Sequence, residues 1–266
     1  MTMTELAQPV PEAAARIVPT GGIGIARDRL RVRAVYGERF RHATSVVNRM
    51  MPEIRRLRDG GPRADRVSVL ADLAAVHLYL TGEWAWLDET LPRGTVGEHL
   101  PLARCVASGL RRLRSYRGPV AVRGDAGTAV DWYRGRRVVT ERGFWAASAV
   151  PAAAAAQAAH AHTDRPGFLV WSLTGRRTGP VDPYRPDRVV FLPGTRFKVL
   201  RVDGGCEPFV LMREMFPQEP VWDAGAGRGS WLDESTVAEL QRLPPGGVSR
   251  FGGPVDRPPG VIVTGR

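Results

Sequence analysis

Residues 189–200 read V-V-F-L-P-G-T-R-F-K-V-L, and the fold turns on how this stretch is read. Val189, Val190 and Phe191 favour extended backbone and Pro193-Gly194 is a strong turn pair. Residues 197–200 then resume an apolar strand with Lys198 out of phase. The spacing predicts two neighbouring strands joined by a tight turn. Working back toward the N-terminus, short strands are predicted at 168–173, 143–147, 136–140 and 119–123, and one more follows at 209–215. Before residue 116 the pattern is helical: 26–58, stopped by Asp59-Gly60-Gly61-Pro62; 67–79, closed by Thr81-Gly82; 84–91, broken by Pro92; and 102–113. Helices first and short strands afterwards indicate an α+β protein rather than an alternating α/β one.

The ends differ from the middle. Residues 1–25 are rich in Ala, Pro and Gly and are expected to be disordered. Residues 26–215 form the domain, its helical part at 26–115 and its sheet part at 116–215. Residues 216–266 are a Pro/Gly-rich C-terminal extension with one predicted helix at 233–243. The chain has 266 residues, 43% of them hydrophobic, which is enough for one core with appendages. Its net charge is +11, and Lys198 is its only lysine. Arginine in place of lysine, with abundant Ala, Gly and Pro, is what a GC-rich genome produces, so codon bias accounts for part of the charge. A nucleic-acid partner is not expected, because no Arg cluster is interleaved with aromatics. Cys105 and Cys206 lie far apart with no C-x-x-C spacing, so neither a disulfide framework nor a metal site is expected. No signal peptide and no membrane span is legible, and the expected compartment is cytoplasmic by default.

Four segments in order carry a resemblance. Residues 79–91, Y-L-T-G-E-W-A-W-L-D-E-T-L, combine a helix end with a Thr-Gly. Residues 108–124, S-G-L-R-R-L-R-S-Y-R-G-P-V-A-V-R-G, give helix, linker and strand ending in Arg123-Gly124. Residues 138–148, V-V-T-E-R-G-F-W-A-A-S, and the stretch at 189–200 complete the set. Together they resemble the mono-ADP-ribosyltransferase family of the Arg-Ser-Glu class. The resemblance implies an ADP-ribosyltransferase-like split antiparallel β-sheet with a helical N-terminal part, and NAD as substrate or ligand. It implies that Arg123 grips an NAD phosphate or ribose and that Gly124 offers its backbone to the nicotinamide amide. Phe144, Ala146, Ser148 and Arg188 would complete the cofactor-binding surface.

This sequence departs from the family where the chemistry lies. Cleavage of NAD at the nicotinamide–ribose bond passes through an oxocarbenium-like transition state that a carboxylate stabilises. At the family's catalytic Glu stands Arg188, and at the first Ser of its Ser-Thr-Ser stands Ala146. A guanidinium would repel the developing positive charge. Asp187 is adjacent but points to the opposite face unless the register shifts by one. Glu141 is expected to be a solvated turn residue, or else to supply a pocket carboxylate. Ser148 reads more readily as a helix cap than as a ligand. Two guanidiniums in one pocket, Arg123 and Arg188, call for an acid or an anion between them, with Asp187 and Glu141 the candidate acids. Three readings follow: a degenerate pseudoenzyme acting as a binding or interaction module; an active transferase using Asp187 or Glu141 on a protein or other acceptor; or an unrelated basic interaction protein.

Overall fold

The structure of the chain is a computed structural model. It describes residues 21–56, 65–82, 87, 90–91, 96–122, 130–135, 138–150, 167–204, 209–219, 231–242 and 259. The predicted helix at 84–91 and the strand end at Arg123 fall wholly or largely outside these.

Three helices come first. Helix α1 (Gly21–Arg56) begins inside the segment expected to be disordered. It is two helical stretches joined at Gly37, whose φ of 41° and ψ of −107° break the helical path. A side chain there would strain the backbone. Helix α2 (Arg66–Thr81) is capped by Asp65, whose carboxylate accepts from the amides of Val67 and Ser68 at 3.2 and 3.1 Å. It is buried from Ala71 to Tyr79 and forms the centre of the helical layer. Helix α3 (Leu100–Leu110) packs across it, and a Cβ on Gly109 would come within 2.4 Å of the Asp72 carbonyl oxygen. The buried Asp72 carboxylate ties the three helices together. It accepts from Arg29 at 2.7 and 2.8 Å, from Arg112 at 2.9 Å and from Ser108 at 2.8 Å.

The remainder is an eight-stranded sheet: β1 (Gly118–Val122), β2 (Val138–Thr140), β3 (Trp145–Ala149), β4 (Phe168–Ser172), β5 (Arg176–Arg177), β6 (Arg188–Phe191), β7 (Arg196–Asp203) and β8 (Phe209–Glu214). Their order is β2-β7-β8-β4-β1-β3-β6-β5, antiparallel except for the β4–β8 pair. A short helix, α4 (Val130–Arg134), and a C-terminal one, α5 (Trp231–Gln241), complete the described elements. The α+β class, with a helical N-terminal part, agrees with the sequence reading.

One expectation is corrected. Residues 189–200 do form strand, turn and strand, but not a hairpin. β6 pairs with β3 and β5, while β7 pairs with β2 and β8. The turn carries the chain from one half of the sheet to the other, and the halves pack face to face. Phe191 and Phe197 stand 5.2 Å apart across the turn, and Trp145 lies 5.1 and 5.3 Å from them. Burying three aromatic rings against one another outweighs the few hydrogen bonds a hairpin would have supplied. The same core takes in Val120, Val139, Phe168, Val170, Val210 and Met212 from four other strands.

The C-terminal extension is fastened by charge. The Arg213 guanidinium is nearly inaccessible and donates to Asp233 on α5 at 2.5 Å and to Glu219 at 2.8 Å. Lys198 donates to the other Asp233 oxygen at 2.7 Å. Burial alone would raise the Asp233 pKa, but the hydrogen bonds from Lys198 and Arg213 outweigh it and hold the carboxyl below its usual range. The hydrogen bond from Arg213 does the same for Glu219. Depressed carboxylates stabilise the folded chain fully above their unfolded values, 3.8 and 4.5. That contribution is lost as pH falls through the folded values. The native chain should therefore lose stability more steeply than Asp233→Asn between about pH 5 and pH 3, as read from urea midpoints.

Candidate functional site

β1, β3 and β6 lie side by side, and Ala121, Ser148 and Arg188 are register partners across them. Ala146 pairs with Val190 further along the same ladder. Alternation puts Ala146, Ser148, Arg188 and Val190 on one face, and Trp145, Ala147, Val189 and Phe191 on the other, inside the aromatic core. The end of α2 meets the first face at Arg188, while Ala146 stays exposed. Phe144, just before β3, is buried against Tyr79 with ring centroids 5.2 Å apart. His77 Nδ1 lies 2.7 Å from the Val181 carbonyl oxygen. The last turn of α2 thus meets the lead into β3, the loop before β6, and Arg188 itself.

Arg188 is 8% exposed. Its Nη1 lies 3.0 Å from Oδ2 of Asp182 and donates to the Leu80 carbonyl oxygen at 3.2 Å. Burial lowers the guanidinium pKa, and Asp182 works against that shift. Successive turns position the acid: the amides of Val181 and Asp182 donate to the Thr178 carbonyl at 2.9 Å each, and the Arg185 amide donates to the Asp182 carbonyl at 3.1 Å. The acid that meets Arg188 is therefore Asp182, which the sequence reading did not name. An acid in a Pro-rich loop carries no periodicity that would aim it at a strand start.

The other residues singled out from the sequence are placed as follows. Asp187 continues the ladder, its carbonyl accepting from the Ala149 amide at 2.8 Å. Its Oδ1 is buried and has no hydrogen-bond partner among the described residues. Glu141, expected at a solvated turn, is instead fully buried. Its carboxylate accepts from the amides of Arg142 and Gly143 at 2.9 Å each. Its backbone holds Gly194 and Thr195 at 2.7 and 2.8 Å, so it pins the turn after β6, at the far end of that strand from Arg188. Ser148 sits inside β3 and is not a helix cap. Arg123 and Gly124 lie outside the described residues; β1, ending at Val122, leads toward them. Glu214, another buried carboxylate the sequence did not flag, accepts from the amides of Leu173 and Thr174 at 2.6 and 2.8 Å and from the Thr174 hydroxyl. It is occupied with holding that turn.

Solved structures similar to this chain include ADP-ribosyltransferases. The type III effector XopAI from Xanthomonas axonopodis pv. citri is 19% identical, with a TM-score of 0.49, covering 79% of this chain and 90% of its own. Exoenzyme S from Pseudomonas aeruginosa, in complex with human 14-3-3 protein beta and bound to carba-NAD, is 15% identical, with a TM-score of 0.48, covering 79% and 96%. A mutant of the eukaryotic mono-ADP-ribosyltransferase ART2.2 in complex with NAD is 13% identical, with a TM-score of 0.47, covering 78% and 86%. No protein-family model and no curated protein matches the chain.

Arg188 and Asp182 are both buried, so removing one strands the other. Arg188→Ala should cost about 3 kcal/mol of unfolding free energy. Arg188→Ala with Asp182→Ala should cost clearly less than the sum of the single changes. Chemical denaturation of the four proteins in the cycle checks this.

Proposed function

We propose that the chain is an ADP-ribosyltransferase-like pseudoenzyme, a binding or interaction module that retains affinity for NAD without turning it over. The observation that carries this reading is Arg188. A cation stands where the family's carboxylate would face the oxocarbenium, and it is built into the fold by Asp182 and the Leu80 carbonyl. A guanidinium held this way cannot be replaced in the pocket by a neighbouring acid without breaking a buried ion pair. Losing one well-placed electrostatic group costs about 3–4 kcal/mol of barrier, and reversed charge costs more. Ala146 removes the hydroxyl that the family's first Ser would supply.

The donors on this face suit anchoring rather than cleavage. Ser148 shares a row of the ladder with Arg188, and this reading assigns the pyrophosphate and the amide to Arg123 and Gly124, the residues that follow β1 in sequence. The partner is read as a protein, bound rather than modified.

A second reading rests on one observation. Asp187 keeps a buried carboxylate oxygen with no hydrogen-bond partner among the described residues, and a one-residue change of register would bring it onto the face of Arg188. An active transferase would then use Asp187, with a protein or other acceptor.

Calorimetric titration with NAD, followed by a glycohydrolase assay, separates the two. The pseudoenzyme reading expects NAD binding, no turnover above background, and no change on Asp187→Ala. Turnover by the native chain that Asp187→Ala abolishes would establish the second reading instead.

A further inference from the structure

We infer that the outer face of α1 docks on an anionic lipid bilayer. Between Arg27 and Arg49 this helix exposes six arginines, Arg27, Arg31, Arg33, Arg39, Arg41 and Arg49, against a single exposed carboxylate, Glu38. None of the six has an ion-pair partner among the described residues. The two ion pairs α1 makes there, Arg29–Asp72 and Arg104–Asp28, use other positions. A solvated helix face ordinarily mixes both signs, with acids three or four residues from bases. Here Arg27 and Arg31 stand one turn apart with like charge, which an isolated helix disfavours. The surface therefore keeps a charge pattern that does not help the helix, and an anionic partner would relieve it.

Hydrophobic groups decide which anionic partner. Leu30 is 66% exposed and Val35 57% exposed on the same helix. Arg27, Leu30, Arg31 and Ala34 recur at the spacing of one helix side. The opposite side is already spent in the core through Ile25, Val32, Phe40, Ala43 and Val47. Apolar side chains among arginines have no use against a phosphodiester backbone, and among the described residues of this face there is no exposed Phe, Tyr or Trp for base stacking. A bilayer surface supplies both needs: anionic headgroups for the guanidiniums and an apolar boundary just beneath for Leu30 and Val35. Arg27, Arg31 and Arg33 lie on the stretch before Gly37 and Arg39, Arg41 and Arg49 on the stretch after it, so both stretches of α1 present guanidiniums to such a surface. The contact would be peripheral, since no helix among the described residues is long and apolar enough to cross a membrane.

The test is co-sedimentation of the full chain with vesicles of phosphatidylcholine alone or with about a third phosphatidylserine, a composition chosen to give a strongly negative surface. Binding is expected to the anionic vesicles only, weakening as salt shortens the Debye length. Arg27→Gln/Arg31→Gln/Arg33→Gln should weaken it at least tenfold with an unchanged melting temperature. Leu30→Ser/Val35→Ser should weaken it several-fold at fixed salt. Arg111→Gln/Arg177→Gln, elsewhere on the surface, should leave it unchanged. The proposal is overturned if anionic vesicles are not bound, if neutral ones bind equally, or if the remote pair weakens binding as much as the α1 triple, which would mean net charge alone. It is also overturned if duplex DNA or polyglutamate displaces the chain from vesicles at equal charge concentration, or if the Leu30/Val35 variant binds as the native chain does.

Discussion

The contact between Phe191 and Phe197 across the Pro193-Gly194 turn is the constraint on which the sheet depends. It forces the chain to leave one half of the sheet at the end of β6 and start the other at β7. With Trp145 as the third ring, it makes the two halves share a core. Once the halves are fixed, β1, β3 and β6 are neighbours, and the row Ala121–Ser148–Arg188 is set by register. Glu141 serves the same constraint from the other side, clasping the turn through its backbone while its carboxylate is satisfied by local amides.

The helical layer then meets the opposite face at Arg188. α2 is buried along most of its length, and its last turn reaches the sheet at Tyr79, Leu80 and, through His77, the loop before β6. A buried guanidinium is costly unless paired, and Arg188 has both a carboxylate and a backbone carbonyl. Its retention is therefore a structural commitment.

Much of the fold was legible because it rests on local signals. The strand and turn residues of 189–200, the apolar run of α2, and its Thr81-Gly82 ending all read directly from periodicity and turn chemistry. What could not be read is long-range. Nothing local distinguishes a hairpin from a crossover at Pro193-Gly194, because the choice lies in which rings meet. Neither the pairing of Asp182 with Arg188 nor the burial of Glu141 and Glu214 has a periodic signature, since each is set by loop geometry. The short β5 and α4 were missed for the same reason: two and five residues carry too little pattern.

The most direct measurement is an experimental structure of the chain determined with a saturating, non-hydrolysable NAD analogue. The account predicts that the Arg188 guanidinium stays on Asp182 and the Leu80 carbonyl, with no carboxylate within hydrogen-bond reach of the ribose that carries the nicotinamide. An Arg188 side chain swung out to solvent, with the Asp187 carboxylate on that ribose, would contradict it.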